Sequence, residues 1–149
     1  MSKENTNIPY TAWRERQARL SLVGKLCLSC KAVTFPPRNI CSNPDCTEKT
    51  RLKEFKLSGK GEIISYTTIS NPKYAPEGFD EDFVPYHLVL VKLYEGPILF
   101  TRFTDFDPKQ KIQEGMKVEL ITRIWKKNGR KGPIEYGYAV RSIFIPKIL

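Results

Sequence analysis

The chain has 149 residues, 40% of them hydrophobic, which is enough for one ordinary domain or two small ones. Its formal net charge of +9 indicates an anionic partner such as nucleic acid, a phosphorylated cofactor or an acidic protein, or else a lysine-rich surface without a dedicated partner. The chain has one histidine, His87, which excludes a metal centre or a catalytic pair built from several histidines.

The N-terminal region is polar and then predicts a helix. Residues 1–7 have no apolar core and no cleavage site, and no apolar run approaches the roughly 18 residues of a membrane span, so we expect a cytoplasmic protein without a signal peptide. Residues 9–22 predict a short basic helix, with Pro9 at its start and Gly24 as its stop signal. The apolar face of this helix is thin, so the helix needs a partner surface to be stable.

All the cysteines lie in one short window, as two close pairs. Cys27 and Cys30 form the first pair, and Cys41 and Cys46 form the second. Two such pairs can converge on a tetrahedral Zn²⁺, which prefers soft thiolate ligands. Four protein ligands leave no open position for water or substrate, so the site organises structure and does not catalyse. A reducing compartment favours a metal over two disulfides, and free thiols are the remaining alternative. The spacing does not separate zinc from a rubredoxin-type iron site.

The cysteine window predicts a small zinc ribbon over residues 24–50. Its central strand ends at Pro36-Pro37, because a proline pair cannot continue the interior of a paired sheet. The segment is too short to bury a hydrophobic core. The metal must therefore supply its folding free energy, on the order of 10 kcal/mol or more.

The remainder of the chain, residues 51–149, predicts an all-β unit. Five runs rich in β-branched and aromatic residues predict strands: Glu62–Ile69, His87–Tyr94, Ile98–Phe103, Lys117–Trp125 and Tyr136–Ile145. Five strands with uneven connections and no long helix are typical of the OB-fold, a small Greek-key barrel. We therefore predict a mainly β protein with an N-terminal helical segment (residues 1–23), a rubredoxin-like zinc ribbon and a five-stranded OB-fold barrel.

The longest connection between predicted strands is Asn71–Tyr86, which contains the aromatic residues Tyr74, Phe79 and Phe83. Long loops inside compact domains often have a function. The alternative is a lid that its own aromatic side chains pack over the mouth of the barrel.

Several motifs together resemble the DUF35 family, over nearly the whole chain from Tyr10 to Phe144. They are the basic helix, the two cysteine pairs, Phe35-Pro36-Pro37-Arg38, Gly61-Glu-Ile-Ile-Ser-Tyr-Thr, Pro76-Glu-Gly78-Phe79, Val84-Pro85-Tyr86 and Gly137-Tyr138. Two departures are visible. The second cysteine pair encloses four residues where two are usual, and Lys31 stands where glycine is common.

The resemblance implies a non-catalytic accessory role in acyl-CoA and lipid metabolism, such as the mevalonate pathway. Members of this family partner thiolase-like enzymes, and some bridge an acetoacetyl-CoA thiolase to a hydroxymethylglutaryl-CoA synthase. Acyl-CoA itself is an implied ligand, with structural Zn²⁺ as the cofactor. The residues we expect to contact acyl-CoA or the partner are Trp13, Arg16, Arg38 and Phe79, although Trp13 packed on its own domain and solvated arginines are the simpler interpretations.

Two other functions fit parts of the sequence. A single-stranded nucleic-acid binder would use Trp125 and the neighbouring basic residues in the connection between the last two strands, which is a ligand-binding loop in OB-folds. The acidic loop residues argue against it, because they repel phosphate: Glu77, Asp80, Glu81 and Asp82. An independent enzyme lacks support, since no catalytic Ser/His/Asp order or phosphate loop is present and the thiolates are used by the metal.

Overall fold

A computed structural model describes residues 10–75, 83–105, 107, 109–127 and 129–143. The elements in chain order are α1 (Tyr10–Leu20), β1 (Val23–Cys27), β2 (Val33–Thr34), β3 (Leu52–Lys56), β4 (Lys60–Ile69), a 3₁₀ turn (Pro72–Tyr74), β5 (Tyr86–Leu93), β6 (Ile98–Phe103), β7 (Lys117–Lys127) and β8 (Ile134–Ser142). No helix in these ranges is long and apolar enough to cross a membrane.

Strands β1 to β3 form the antiparallel sheet of the ribbon, in the order β2-β1-β3. Lys25 in β1 lies opposite Thr34 on one side and opposite Glu54 on the other. Strand β3 therefore belongs to the ribbon sheet, which extends beyond the predicted end of the ribbon at residue 50. The sequence of β3, Leu-Lys-Glu-Phe-Lys, does not predict this membership, because it is typical of any half-exposed strand. Only the pairing with β1 shows that β3 belongs to the ribbon sheet.

Strands β4 to β8 form a closed barrel in the order β4-β5-β6-β8-β7. The neighbours pair antiparallel except β6 and β8, which run parallel where Phe103 lies opposite Val140. This is the five-stranded OB-fold predicted from the sequence. The last hairpin is longer than predicted, with β7 reaching Lys127 and β8 beginning at Ile134. The predicted end of the last strand, at Ile145, lies outside the described residues.

The core sits inside the barrel because alternate strand residues point inward. In β5, Val89, Val91 and Leu93 are at most 1% exposed, while the residues between them are more exposed. One cluster of buried side chains joins ribbon and barrel: Phe35, Leu57, Ile63, Val89, Val91, Leu93, Leu99, Phe103, Ile112, Val118, Leu120, Tyr138 and Val140. The ribbon and the barrel therefore share one hydrophobic core and are not two separately packed domains.

Helix α1 packs against β1 of the ribbon and β8 of the barrel. It ends before the predicted stop, because Leu22 takes the left-handed conformation (φ 54°) that ends a helix. Gly24 lies within β1, where a Cβ atom would come within 2.6 Å of the Thr34 carbonyl oxygen. Glycine is therefore needed there for the close approach of two strands and not as the helix stop.

Candidate metal centre and binding surfaces

The four cysteine sulfurs converge on one point in the ribbon. All of them lie within 4.8 Å of one another, and Cys27, Cys41 and Cys46 are buried. The Sγ atoms are 3.7 Å apart for Cys27 and Cys46 and 3.4 Å apart for Cys30 and Cys41. A tetrahedral zinc site with Zn–S bonds of about 2.3 Å has sulfurs about 3.8 Å apart, so this donor set fits a zinc ion. All four cysteines are free thiols, and a full set of thiolates gives a closed structural site.

Backbone groups hold the thiols in unequal electrostatic environments. A hydrogen bond from the backbone of Ala32 is the main reason that the pKa of Cys30 falls to about 6. The Asn43 N–H lowers the pKa of Cys41, but burial and the other thiols outweigh it and raise that pKa to about 12. Burial likewise raises the pKa of Cys46. Burial and mutual repulsion make it unfavourable for all four thiols to be deprotonated without a cation. A bound divalent metal ion stabilises the four thiolates and offsets that cost.

The enlarged loop between Cys41 and Cys46 is closed by Asn43. Its side-chain oxygen accepts a hydrogen bond from Asp45 N at 3.1 Å, and its carbonyl accepts one from Cys46 N at 3.2 Å. Its own N–H points to the Cys41 sulfur at 3.5 Å. An asparagine turn of this kind lets the four residues between Cys41 and Cys46 form a compact loop.

The turn around the first cysteine pair places Lys31 in a backbone conformation suited to glycine. Its φ is 64°, and its N–H donates to the Cys27 carbonyl at 3.0 Å. A side chain in this left-handed region costs roughly 1–2 kcal/mol. The departure from the family pattern at this position therefore carries backbone strain.

Trp13 and Arg16, two predicted partner contacts, lie together on α1. Trp13 is 52% exposed, and the Arg16 guanidinium carbon lies 3.6 Å from the centre of its ring. Arg16 also donates a hydrogen bond to the Trp13 carbonyl. Arg38 is exposed on the ribbon after Pro36-Pro37. Phe79 lies outside the described residues, so the structure does not test its place in this surface.

A separate cleft, here called the barrel cleft, opens at the ends of β6 and β7. It has a volume of about 250 Å³ and is lined by residues that include Phe83, Tyr86, Arg102, Arg123, Ile124 and Trp125. Arg102 Nη2 donates to the Trp125 carbonyl at 2.8 Å. Burial lowers the pKa of Arg102, because a desolvated guanidinium is less stable as a cation. Sequence reasoning missed Arg102, although an arginine within the apolar strand Ile98–Phe103 was a signal.

Trp125 is held rigidly at the edge of this cleft. Its Nε1 donates to the Tyr138 carbonyl at 2.9 Å, and its ring meets the Tyr138 ring edge-on at 5.8 Å. A Cβ atom on Gly137 would lie 2.7 Å from the indole ring, so the ring packs directly on the backbone of β8. The motif Gly137-Tyr138 therefore has a physical role, which is to seat this tryptophan.

Two family descriptions match the chain in the order of its two units. The rubredoxin-like zinc ribbon domain of ChsH2 matches residues 15–50, and the C-terminal OB-fold domain of ChsH2 matches residues 55–123. A DUF35 domain-containing scaffold protein of Pyrococcus furiosus is 40% identical over 131 residues, which is 88% of this chain and 90% of that protein. The chain belongs to the DUF35 family.

Other DUF35 relatives agree with this assignment. The DUF35 domain-containing scaffold proteins of Methanocaldococcus jannaschii and Methanothermobacter thermautotrophicus are 36% and 40% identical, covering 89% and 85% of this chain and 89% and 90% of their own lengths. A solved chain of the Ltp2-ChsH2(DUF35) aldolase superposes with a TM-score of 0.61 at 26% identity, over 93% of this chain and 97% of that one. The family resemblance and the fold predicted from the sequence are confirmed.

Proposed function

We propose that this protein is a non-catalytic scaffold subunit of a thiolase-type acyl-CoA enzyme. The observation that carries the proposal is the set of relatives named scaffold proteins, which match this chain over nearly its full length. The similar solved chain supports an enzyme as the partner, since its name joins an aldolase with a DUF35 component. The finer identification, an acetoacetyl-CoA thiolase with a hydroxymethylglutaryl-CoA synthase, rests on the family resemblance.

The metal in this proposal is structural Zn²⁺ at Cys27, Cys30, Cys41 and Cys46. The converging sulfurs supply all four ligands, so the ion has no open position for a substrate. Its role is to fix the ribbon, which in turn presents Arg38 and supports α1. The chain's contribution to catalysis would then be to hold enzymes and substrate in place.

The proposed contact surface for acyl-CoA or the partner consists of Trp13, Arg16, Arg38 and Phe79. The exposed Trp13 ring offers a face for stacking, and it already stacks against the Arg16 guanidinium. Arginine forks suit the phosphates of coenzyme A, and exposed aromatics beside arginine are common anchors of protein interfaces. The formal net charge of +9 favours either kind of anionic partner.

Co-expression tests the scaffold function directly. The protein would be produced with the thiolase and the hydroxymethylglutaryl-CoA synthase of the same host, and the mass of the purified assembly measured by light scattering. We expect one complex that contains this chain, and a thiolase whose activity or solubility falls when the chain is omitted. If no host thiolase or synthase binds the chain or depends on it, the proposal is wrong.

A nucleic-acid binding experiment distinguishes the scaffold function from the competing nucleic-acid function. Binding of a single-stranded oligonucleotide is measured at physiological salt, where charge alone gives weak and salt-labile binding. We expect only such non-specific retention. Sub-micromolar binding that is lost on Trp125→Ala would favour the nucleic-acid function instead.

A further inference from the structure

The barrel cleft is lined by none of the described residues assigned to acyl-CoA or the enzyme partner, and it contains an unusual cation. Arg102 is half-buried between β6 and the Trp125 backbone, and no aspartate or glutamate of the described chain lines the cleft. Burying a guanidinium without a carboxylate is unfavourable, and among the described residues the Trp125 carbonyl and the Trp125 ring, whose centre is 5.7 Å away, offset this cost only in part. We propose that the barrel cleft binds a small organic monocarboxylate with a flat apolar body.

The local charges favour a single negative charge on the ligand. The other arginine of the cleft, Arg123, is already neutralised by Asp105, with its Nη2 atom 2.5 Å from Oδ2. Arg141 also lies near Asp105 and pairs with Glu119 at 2.8 Å. Among the described residues, Arg123 and Arg141 are therefore paired with acids, whereas Arg102 has no carboxylate partner. A monocarboxylate matches the charge of Arg102 better than a doubly charged phosphate.

The hydrogen-bonding capacity of Arg102 also favours a carboxylate ligand. A guanidinium has five N–H donors, and Nη2 of Arg102 gives one to the Trp125 carbonyl. The remaining donors suit the paired oxygens of a carboxylate, which arginine binds in a fork. The carbonyl contact also fixes the direction of the guanidinium before a ligand arrives, so less conformational entropy is lost on binding.

The walls and the size of the cleft define the rest of the ligand. Phe83, Val84 and Ile124 line it together with the rigid Trp125 ring, so its walls are largely apolar and aromatic. Its volume of about 250 Å³ lies just below the range of roughly 300–1,000 Å³ for pockets that hold drug-sized ligands. A whole coenzyme A does not fit this space, whereas an aryl or branched acid of a few carbons does. The proposal is therefore independent of the scaffold function.

Phenylacetate and phenylacetamide form a matched pair of probes, because they share a body and differ in charge. The full-length zinc-loaded protein would be titrated with each while its two tryptophan indole N–H signals are followed by NMR. We expect phenylacetate to shift the Trp125 signal in a saturable way with a Kd of about 1 mM, as the size of the probe allows. The Trp13 signal stays in place, and the amide binds at least tenfold more weakly.

Substitutions of Arg102 then test whether its guanidinium binds the carboxylate. Arg102→Gln should weaken phenylacetate binding at least tenfold, whereas Arg102→Lys should retain part of it. Arg130→Gln is the matched control, since it removes the same charge from an exposed residue outside the cleft. If Arg102→Gln does not fold, the comparison of acid and amide on the unaltered protein still decides the question.

Three results would overturn the proposal: no saturable shift of the Trp125 signal, equal binding of acid and amide, or equal loss of binding in the Arg130→Gln control. A single-stranded oligonucleotide that shifts the same signal at a lower concentration would also overturn it and would assign the cleft to nucleic acid.

Discussion

The ring of Phe35 in the ribbon packs against the ring of Tyr138 in the barrel, with centroids 5.6 Å apart and planes inclined by 53°. Burial of Tyr138 raises the pKa of its hydroxyl. The carbonyl of the same residue accepts hydrogen bonds from Trp125 Nε1 and Thr101 Oγ1, both at 2.9 Å. One residue therefore joins the ribbon, the core and the barrel cleft. The contact between ribbon and barrel and the seat of Trp125 therefore share one residue.

Phe35→Ala should destabilise the whole protein and not the ribbon alone. The side chain is 6% exposed and belongs to the core shared by both units, so its loss should lower the free energy of unfolding by about 3–5 kcal/mol. Denaturant unfolding followed by tryptophan fluorescence measures this. Ile40→Ala is the control, because Ile40 is a ribbon residue that is 58% exposed. A loss of less than about 1 kcal/mol for Phe35→Ala would contradict a shared core.

The metal content is predicted to be one Zn²⁺ per chain. Cys27→Ser should abolish binding, because Cys27 is fully buried and supplies one of the four ligands. Loss of the metal then removes folding free energy from the ribbon, and through Phe35 from the barrel. Elemental analysis and thermal unfolding measure the two effects, with Ser29→Ala, between Cys27 and Cys30, as the control. Native protein with two disulfides and no zinc or iron would refute the metal site.

Lys31→Gly should stabilise the protein by about 1 kcal/mol, because the backbone φ of 64° at this position is strained for lysine and ordinary for glycine. Lys31→Ala is the matched control, since it removes the same charge but keeps a Cβ atom and thus the strain. Equal stability of the glycine and alanine variants would show that the charge, and not the backbone, determines the effect. The measured quantity is the free energy of unfolding of the zinc-loaded protein.

The order of the helix, the cysteine ribbon and the five barrel strands was predictable because each of these has a local signal. The cysteine pairs mark the ribbon, and the β-branched runs mark the five barrel strands within a few residues. The length of the last hairpin was not predictable, because Ile134 and Glu135 become strand residues only by pairing with Lys127 and Lys126. The pairing of β3 with β1 was missed for the same reason, which is that strand partners are a non-local property.

The sequence predicts the metal ligands well but predicts the barrel cleft poorly. Four cysteines at paired spacing predict their own convergence. The barrel cleft instead depends on residues far apart in sequence, since Arg102 meets the Trp125 carbonyl only after the barrel closes. The role of Gly137 also stayed hidden, because a glycine reveals a close approach only when the neighbouring ring is known. The predicted contacts Trp13, Arg16, Arg38 and Phe79 remain predictions.

Glu95 should contribute a pH-dependent part of the stability. Its Oε1 accepts a hydrogen bond from Ser58 N at 2.7 Å, which ties the β5–β6 hairpin to the segment between ribbon and barrel. Burial alone would raise the pKa of Glu95, but the hydrogen bonds from Ser58 outweigh burial and lower it. The folded pKa is below the unfolded value, so this stability is present above the unfolded pKa, about 4.3, and is lost as the pH falls through the folded pKa.

Glu95→Gln tests this contribution. The variant should lose about 1–2 kcal/mol at pH 7, because a hydrogen bond to a charged acceptor becomes one to a neutral acceptor. Below the folded pKa of Glu95 the difference from the original protein should shrink. Unfolding measured between pH 7 and pH 3 shows both effects, with the exposed Glu114→Gln as the control. A stability difference that does not change with pH would contradict the assignment.

The exposed Trp13 on α1 should anchor the enzyme partner. Removing residues 1–22 would be a poor test, because the Leu22 carbonyl accepts a hydrogen bond from Leu57 N at 2.9 Å and its side chain packs on the core. Trp13→Ala is the sharper change, since the ring is 52% exposed. A tryptophan at the centre of an interface contributes about 2 kcal/mol or more to binding, so we expect at least a roughly 30-fold loss of partner affinity.

The matched control is Tyr94→Ala, which removes an aromatic ring of similar exposure, 55%, from the β5–β6 hairpin. Neither substitution should change the free energy of unfolding by more than about 0.5 kcal/mol, because both side chains are on the surface. Partner affinity is measured by calorimetry or by co-purification of the co-expressed thiolase. Arg16→Ala should show part of the Trp13 effect, since the guanidinium stacks on that ring. Full partner binding by Trp13→Ala, or an equal loss in Tyr94→Ala, would mean that α1 is not the anchor and that the partner docks on another surface.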